Sequence, residues 1–219
     1  MTSKAKKPAI SPPGLLIICV LILMAGWIKL LFPTWLEYSV DYAERMLIIA
    51  MTLAYGGFRF RVANSALEIR TLALTVSILM VSLVAHFIEQ ATWKDVPVLG
   101  GQIWPYSAIQ FEPHIYFDLT VGLMLVAVSE ELVFRYLIVR VFPGKTTLQY
   151  LVTFMAFGLI HAPQGLYGMA FAGIIGMLFM WLYKRTKTLS APIAAHYLYD
   201  LYFFRRCITD TFSDEFVMT

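Results

Sequence analysis

Cysteine and charge are both scarce in this chain. Asp, Glu, Lys and Arg make up only 14% of its 219 residues, whereas 59% are hydrophobic. The two cysteines, Cys19 and Cys207, have no paired spacing, so the sequence indicates neither a disulfide framework nor a thiolate metal site. The apolar segments leave no polar stretch large enough for a separate soluble domain, and we expect no nucleic-acid partner.

Long hydrophobic runs dominate the chain instead. A helix that crosses a bilayer needs roughly 20 apolar residues, and about seven segments approach that length. They are 14–32, 40–58, 70–89, 115–141, 147–161, 166–184 and 189–205. The sequence therefore predicts an all-α polytopic membrane protein, a bundle of about seven transmembrane helices that forms a single domain over residues 1–219.

The basic residues predict how these spans are oriented. Lys4, Lys6 and Lys7 resemble the start of a signal peptide, but the apolar run is long and no small-residue cleavage site closes it, so we predict an uncleaved span. An N-terminus inside then places most other basic residues in the inner connections, as expected for cytoplasmic loops. These are Arg59, Arg61, Arg70, Arg140, Lys145, Lys184, Arg185 and Lys187, whereas Arg205 and Arg206 are the exception.

Two further patterns concern packing and the membrane surface. Gly168, Ala172 and Gly176 recur every four residues in the sixth segment, which lets a neighbouring backbone approach closely. We predict a packing role and keep dimerisation as the alternative.

The long connection from Gln90 to His114 is rich in aromatic residues, which favours an interfacial loop over a substrate lid.

Two adjacent carboxylates, Glu130 and Glu131, lie near the middle of the fourth apolar segment. A charge at bilayer depth is costly unless it is paired or hydrated, so a functional site is the default hypothesis. Residues four apart share a helix face, so Glu131 faces Arg135. Glu130 points about 100° away, with no cation on its own helix. We predict that its carboxylate is left free.

The fifth and seventh segments each carry a histidine with a partner four residues away. Phe157 shares a helix face with His161, and His196 shares one with Asp200. At about 1.5 Å per residue, Glu130 and these three polar side chains lie roughly 10–21 Å from the inner ends of their spans. The alternating topology places all four at similar depth, which predicts one cluster rather than separate local hydrogen bonds.

Together these residues resemble the three-motif signature of the CAAX protease and bacteriocin-processing family, the glutamic-type intramembrane proteases. The motifs are Glu130-Glu131-x-x-x-Arg135, Phe157-x-x-x-His161 and His196-x-x-x-Asp200. The resemblance covers about Leu119 to Phe204 and implies a catalytic core over residues 114–205. Three motifs in this order, each in an apolar segment, are specific, whereas the first three segments show nothing diagnostic.

The resemblance implies an endopeptidase that cleaves a membrane-anchored protein or peptide without a metal or other cofactor. Glu130 and His161 would activate a water, because a carboxylate and an imidazole that converge on one water can act as a general base. His196 and Asp200 would polarise the scissile carbonyl and stabilise the oxyanion. Glu131 and Arg135 would orient Glu130, and Phe157 would have a supporting role beside His161.

Two chemical alternatives stay open. The family often has Asn at the position of Asp200, and an ionised aspartate cannot donate a hydrogen bond to an oxyanion. Asp200 is therefore either protonated or accepts a hydrogen bond from His196 and fixes its tautomer; we favour the second role. A glutamate, two histidines and an aspartate are also zinc ligands, although the HExxH spacing is missing.

Other classes of protein also bury such residues. A proton-coupled transporter does so, but the chain shows no internal repeat of the kind transporters have; a non-catalytic membrane scaffold is the other alternative. For a protease, the substrate is a prenylated CAAX-like end, a leader peptide or a C-terminal sorting tail. Bacterial relatives that process sorting tails favour a prokaryotic cytoplasmic membrane, and the sequence indicates no oligomeric state.

Overall fold

The computed structural model describes the backbone of residues 10–31, 34–57, 68–92 and 112–217, and every regular element in these ranges is helical. The helices are α1 (Pro12–Ala25), α2 (Thr34–Tyr55), α3 (Ile69–Thr92), α4 (Glu112–Phe117), α5 (Leu123–Glu131), α6 (Ile138–Val141), α7 (Thr146–Leu159), α8 (Gly165–Thr186) and α9 (Ser190–Val217). The prediction of an all-α chain is confirmed for these residues.

Several sequence predictions fall outside this part of the chain. The predicted interfacial loop lies mainly in residues 93–111, and the basic residues Arg59 and Arg61 lie in 58–67. The three lysines before the first span also lie outside the described residues. For Arg205, Arg206 and Cys207 only the backbone is described, as part of α9.

Residues 112–141 form one continuous helical path with two irregular turns. The π-helical turn Asp118–Gly122 joins α4 to α5, and a second one, Leu132–Leu137, joins α5 to α6. Turns of this kind are rare in proteins, and those that do occur are often found at functional sites. The second turn begins directly after Glu130 and Glu131, so the helix departs from regular α geometry at the point where the sequence places its two adjacent carboxylates.

Local sequence signals set the ends of the helices. The Oγ of Ser11 accepts a hydrogen bond from the backbone N–H of Gly14 at 3.3 Å, which caps α1 ahead of two prolines in its first turn. Helix α7 ends before Pro163, which cannot supply the next helical hydrogen bond. His161 therefore lies in the break between α7 and α8.

Helix α3 turns its polar side chains inward and its apolar side chains outward. Its buried residues include Thr71, Thr75, Ser82 and His86, whereas Ile69 is 86% exposed. Also exposed are Leu72, Val76, Met80, Val84 and Ile88. A helix in water shows the reverse pattern, so this surface fits a lipid environment.

Two helical segments of the described chain, Ile69–Ile88 and Ala162–Thr186, are long and apolar enough to cross a membrane by length and composition. Pro12–Ile28 and Thr146–Leu159 are apolar but shorter. Each of the seven segments predicted from hydropathy overlaps a helix, although α2 begins earlier than predicted and α9 continues past residue 205 to Val217.

The largest apolar core surrounds the second π-helical turn. Leu15 and Cys19 of α1 are fully buried in it, together with Phe134 and Leu137 of the turn and Met180 of α8. Cys19 is a free thiol in this cluster and packs as a small apolar side chain. Helix α1 therefore holds the turn that follows the carboxylate pair.

Helices α7 and α8 cross at glycines. A Cβ atom on Gly158 would lie 2.5 Å from the carbonyl oxygen of Met169, and a Cβ on Gly173 would lie 2.7 Å from the Phe154 ring. In the predicted small-residue stripe, Gly176 lies against Phe157, where a Cβ would approach the ring to 3.0 Å. These contacts support the packing role, and they place Phe157 close to α8.

We expect Gly158→Ala to lower the stability of the protein by about 1–3 kcal/mol, because the new methyl group meets a backbone carbonyl that cannot rotate away. Thermal unfolding of the purified protein in detergent measures this change. Ala170→Val, on an exposed face of α8, is the matched control and should have little effect. An unchanged melting temperature in Gly158→Ala would contradict the close crossing.

Candidate active site

The three motifs occupy three helical stretches that meet in the bundle. Glu130 and Glu131 end α5, and Arg135 lies in the π-helical turn that follows. His161 follows the end of α7. His196 and Asp200 lie one turn apart on α9. The end of α5 places the two glutamates, the π-helical turn places Arg135, and the end of α7 places His161. His196 and Asp200 share one face of α9.

Glu131 and Arg135 form a completely buried ion pair. The Nη2 of Arg135 donates to Glu131 Oε1 at 3.0 Å, and its Nε lies 2.8 Å from Glu131 Oε2. The guanidinium also lies over the rings of Phe157 and Phe179, 5.1 and 5.7 Å from their centroids. The pairing predicted from the four-residue spacing is confirmed, and Phe157 contacts the pair as well as the His161 ring.

His196 lies between three carboxylates. Its Nδ1 is 3.0 Å from Glu131 Oε1, and its Nε2 is 3.3 Å from Asp200 Oδ2 and 3.9 Å from Glu130 Oε2. The predicted contact between His196 and Asp200 is present. Because carboxylate oxygens accept hydrogen bonds, both ring nitrogens of His196 are placed as donors.

Glu130 is paired with a cation from α2, so the prediction that its carboxylate is left free was wrong. Arg45 Nη1 donates to Glu130 Oε1 at 2.7 Å, and Arg45 Nε lies 3.5 Å from Asp41 Oδ1. This direct contact comes from Arg45 rather than from the Glu131–Arg135 pair that the family resemblance implied. The other oxygen, Glu130 Oε2, is buried and has no hydrogen bond to any described group.

The second apolar segment therefore does contribute to the site, although it showed nothing diagnostic in the sequence. A signal was present. Asp41 and Arg45 are four residues apart, the spacing of an intrahelical ion pair. Both lie near the start of a predicted span, where an arginine is costly unless paired. The partner itself lies 85 residues further along the chain, which no local pattern reveals.

The ring orientation of His161 is fixed by the backbone of α7, the helix that ends just before it. Its Nδ1 is 2.7 Å from the carbonyl oxygen of Phe157, and since a carbonyl only accepts, Nδ1 carries the proton and Nε2 is the free acceptor. The ring centroids of Phe157 and His161 lie 4.9 Å apart. The Phe157 ring centroid also lies 6.0 Å from that of His196, so Phe157 contacts both histidines.

A tryptophan from the N-terminal part of the chain supports the same helix end. Trp27 lies in the 3-10 turn Gly26–Leu31, and its Nε1 donates to the carbonyl oxygen of Ile160 at 3.1 Å. That carbonyl belongs to the residue before His161, at the point where α7 ends. Sequence reasoning missed this residue because the bond joins positions 133 residues apart.

Carboxylates and cations alternate in the cluster. Glu130, Glu131 and Asp200 face Arg45, Arg135 and His196, and Asp41 is a fourth carboxylate beside Arg45. Burying an isolated charge costs far more than burying a paired one. Among the described residues, no group of three or more His, Cys, Asp and Glu side chains has an arrangement suited to holding a metal ion.

Comparison with known families agrees with the motifs. Residues 112–202 match the family described as type II CAAX prenyl endopeptidase Rce1-like. The match confirms the resemblance to the CAAX protease and bacteriocin-processing family, and it indicates a membrane-integral protease. It contains every motif residue but not Arg45 or Trp27. No curated protein and no solved structure matches the chain.

Proposed function

We propose that the chain is a multi-pass intramembrane endopeptidase in which Glu130 and His161 activate the attacking water. One observation carries the proposal: the buried Glu130 Oε2 and the His161 Nε2 are both acceptors without a competing hydrogen bond among the described groups. A water that donates to both is polarised toward hydroxide, which is what general-base hydrolysis of a peptide requires.

The proton balance of this reaction is simple. The water oxygen attacks the scissile carbonyl while His161 Nε2 takes its proton, and the Glu130 carboxylate stabilises the resulting imidazolium. The carbonyl oxygen becomes an oxyanion in the tetrahedral intermediate. When the carbon–nitrogen bond breaks, the same proton passes to the departing amine, which restores the neutral His161. The second proton of the water stays on the new carboxyl group and then passes to the amine or to solvent, so the peptide ends as a carboxylate and an amine that can take up that proton.

His196 is the donor that we assign to the oxyanion. Its Nε2 lies 3.3 Å from Asp200 Oδ2 and 3.9 Å from Glu130 Oε2, and its Nδ1–H is held by Glu131. A donor fixed in advance stabilises the developing negative charge without reorganising. Before substrate binds, Asp200 is the carboxylate nearest that Nε2–H and accepts from it, the role favoured from the sequence. The oxyanion takes over this hydrogen bond as it forms, and Asp200 needs no proton of its own.

The outward apolar face of α3 and the alternation of basic residues support a multi-pass topology with the N-terminus inside. We place the chain in a prokaryotic cytoplasmic membrane. The substrate that fits this placement is a membrane-anchored protein or peptide cut near the bilayer. A CAAX-like end, a leader peptide and a sorting tail are the three forms to compare.

The test is cleavage of these three substrate types by the purified full-length protein in detergent or vesicles, with and without a chelator. Cleavage that persists in chelator, and is missing from a Glu130→Gln preparation, is the expected result. Complete and reversible loss on chelation would replace the glutamate mechanism by zinc chemistry. Absence of cleavage for every substrate would favour the two alternatives, a proton-coupled transporter or a non-catalytic membrane scaffold, over a protease.

Asp200→Asn should keep the cleavage rate within about tenfold of the wild type, whereas Asp200→Leu should lower it by about 10²-fold. The amide oxygen of asparagine still accepts from His196 Nε2, but leucine leaves that donor without its partner. Comparison of kcat/KM for the two variants measures the difference. Equal loss in both would show that the negative charge of Asp200 is itself required.

A further inference from the structure

Arg45 lies outside the segment that matches the protease family and outside all three motifs, although its partner Glu130 belongs to the first motif. We propose that Arg45 is a positioning residue that holds one oxygen of the Glu130 carboxylate, so that the other oxygen is directed at the two histidines. This inference rests on the proposed role of Glu130 as part of the general base.

The geometry of the carboxylate supports this role. Glu130 Oε1 accepts from Arg45 Nη1 at 2.7 Å, a distance typical of a charge-assisted hydrogen bond. Glu130 Oε2 makes no hydrogen bond to a described group, and the nearest ring nitrogen of His196 is 3.9 Å away. Arg45 therefore separates the two oxygens by function: Oε1 is engaged and Oε2 is available.

A second carboxylate on the same helix also contacts Arg45. Its Nε lies 3.5 Å from the Asp41 carboxylate one turn earlier on α2, and its side chain is only 11% exposed. Helix α2 buries Glu44, Arg45, Ile48 and Thr52. This face turns Arg45 toward α5, whereas Met46 and Leu47 are half exposed on the opposite side. The N-terminal helices thus complete a site whose motifs all lie further along the chain.

An arginine suits this place better than a lysine. The guanidinium is planar and can contact Asp41 and Glu130 through different nitrogens at the same time, which a single ammonium does less well. A buried ion pair is also costly to break, because the remaining carboxylate is left uncompensated. Both properties make the contact measurable by two independent readouts, stability and catalysis.

The first readout is a double-mutant cycle of thermal stability on the full-length protein in detergent, with Arg45→Met, Glu130→Gln and the double variant. Arg45→Met should lower the melting temperature by roughly 10 °C. The double variant should recover part of that loss, since the amide of glutamine needs no counter-charge whereas Asp41 still lacks its cation. Additive effects in the cycle would overturn the pairing.

The second readout separates positioning from general structural support. Arg45→Met should lower kcat for the cleaved substrate by about 10²-fold with KM within twofold, since a small misplacement of a catalytic group has an effect of this size. Arg45→Lys should recover at least tenfold of the lost kcat. Arg70→Met, an exposed arginine of α3, is the matched control and should leave both constants unchanged.

The two proposals fail in different ways. If Arg45→Met keeps full kcat, or changes KM alone, Arg45 has no positioning role, even though Glu130 can still polarise the water together with His161. If the wild type cleaves none of the substrates, the proposed function fails and the positioning role fails with it. The stability cycle then still decides whether the ion pair exists.

Discussion

Glu130→Gln is expected to lower the rate of peptide cleavage by about 10³-fold or more while the protein stays folded. The change removes one negative charge and almost no volume. Glutamine can still contact Arg45, which also keeps Asp41 as a partner, so no buried cation is left alone. The carboxylate that polarises the water is lost, and single-turnover cleavage by the purified variant measures the effect.

His161→Asn should show a loss of similar size for a different reason. The asparagine amide can still donate to the carbonyl of Phe157, but it offers no nitrogen that takes a proton. Because both residues act on one water, the double variant should be little slower than either single variant. Independent, multiplying losses would show that the two side chains do not share a step.

The control for these variants is Glu68→Gln, an exposed glutamate just before α3. It carries the same chemical change outside the cluster and should cleave at the wild-type rate. Full activity in Glu130→Gln would remove the carboxylate from the mechanism, whatever the behaviour of His161→Asn.

Contacts within one helix were predictable from the sequence. The spacing of four residues gave the pairs Glu131–Arg135 and His196–Asp200, and the structure shows both. Local spacing along the chain decides such contacts, even where the π-helical turn lies between the two residues, as for Glu131 and Arg135. The prediction that the motif residues lie at similar depth uses only the span lengths and the fixed rise per residue of a helix.

Contacts between distant helices were not predictable in the same way. Arg45 was visible as a charge in an apolar span, but which carboxylate it meets depends on how α2 packs against α5. The π-helical turn at Leu132–Leu137 gives no signal in the composition of its residues. Likewise, Trp27 reaches the end of α7 only because the 3-10 turn after α1 brings it there.

Arg135→Met is expected to destabilise the protein by about 3–5 kcal/mol, the typical cost of breaking a buried ion pair by removing one partner. Arg135 is the largest fully buried side chain in the described part of the chain. Its loss leaves Glu131 with His196 alone and removes the cation that lies over Phe157 and Phe179. Denaturation in detergent, followed by the yield of folded protein, measures the change.

The double variant Glu131→Gln/Arg135→Met separates charge from packing. If the uncompensated carboxylate causes the loss, neutralising Glu131 as well should recover about half of it or more. Arg140→Met, an exposed arginine that bonds the Tyr136 hydroxyl at 3.0 Å, is the control on the same helical path and should cost at most about 1 kcal/mol. No recovery in the double variant would mean that Arg135 acts through its contacts with the two aromatic rings. In that case the Glu131→Gln change in the double variant removes the carboxylate that His196 contacts without restoring stability. The double variant should then cleave more slowly than Arg135→Met alone.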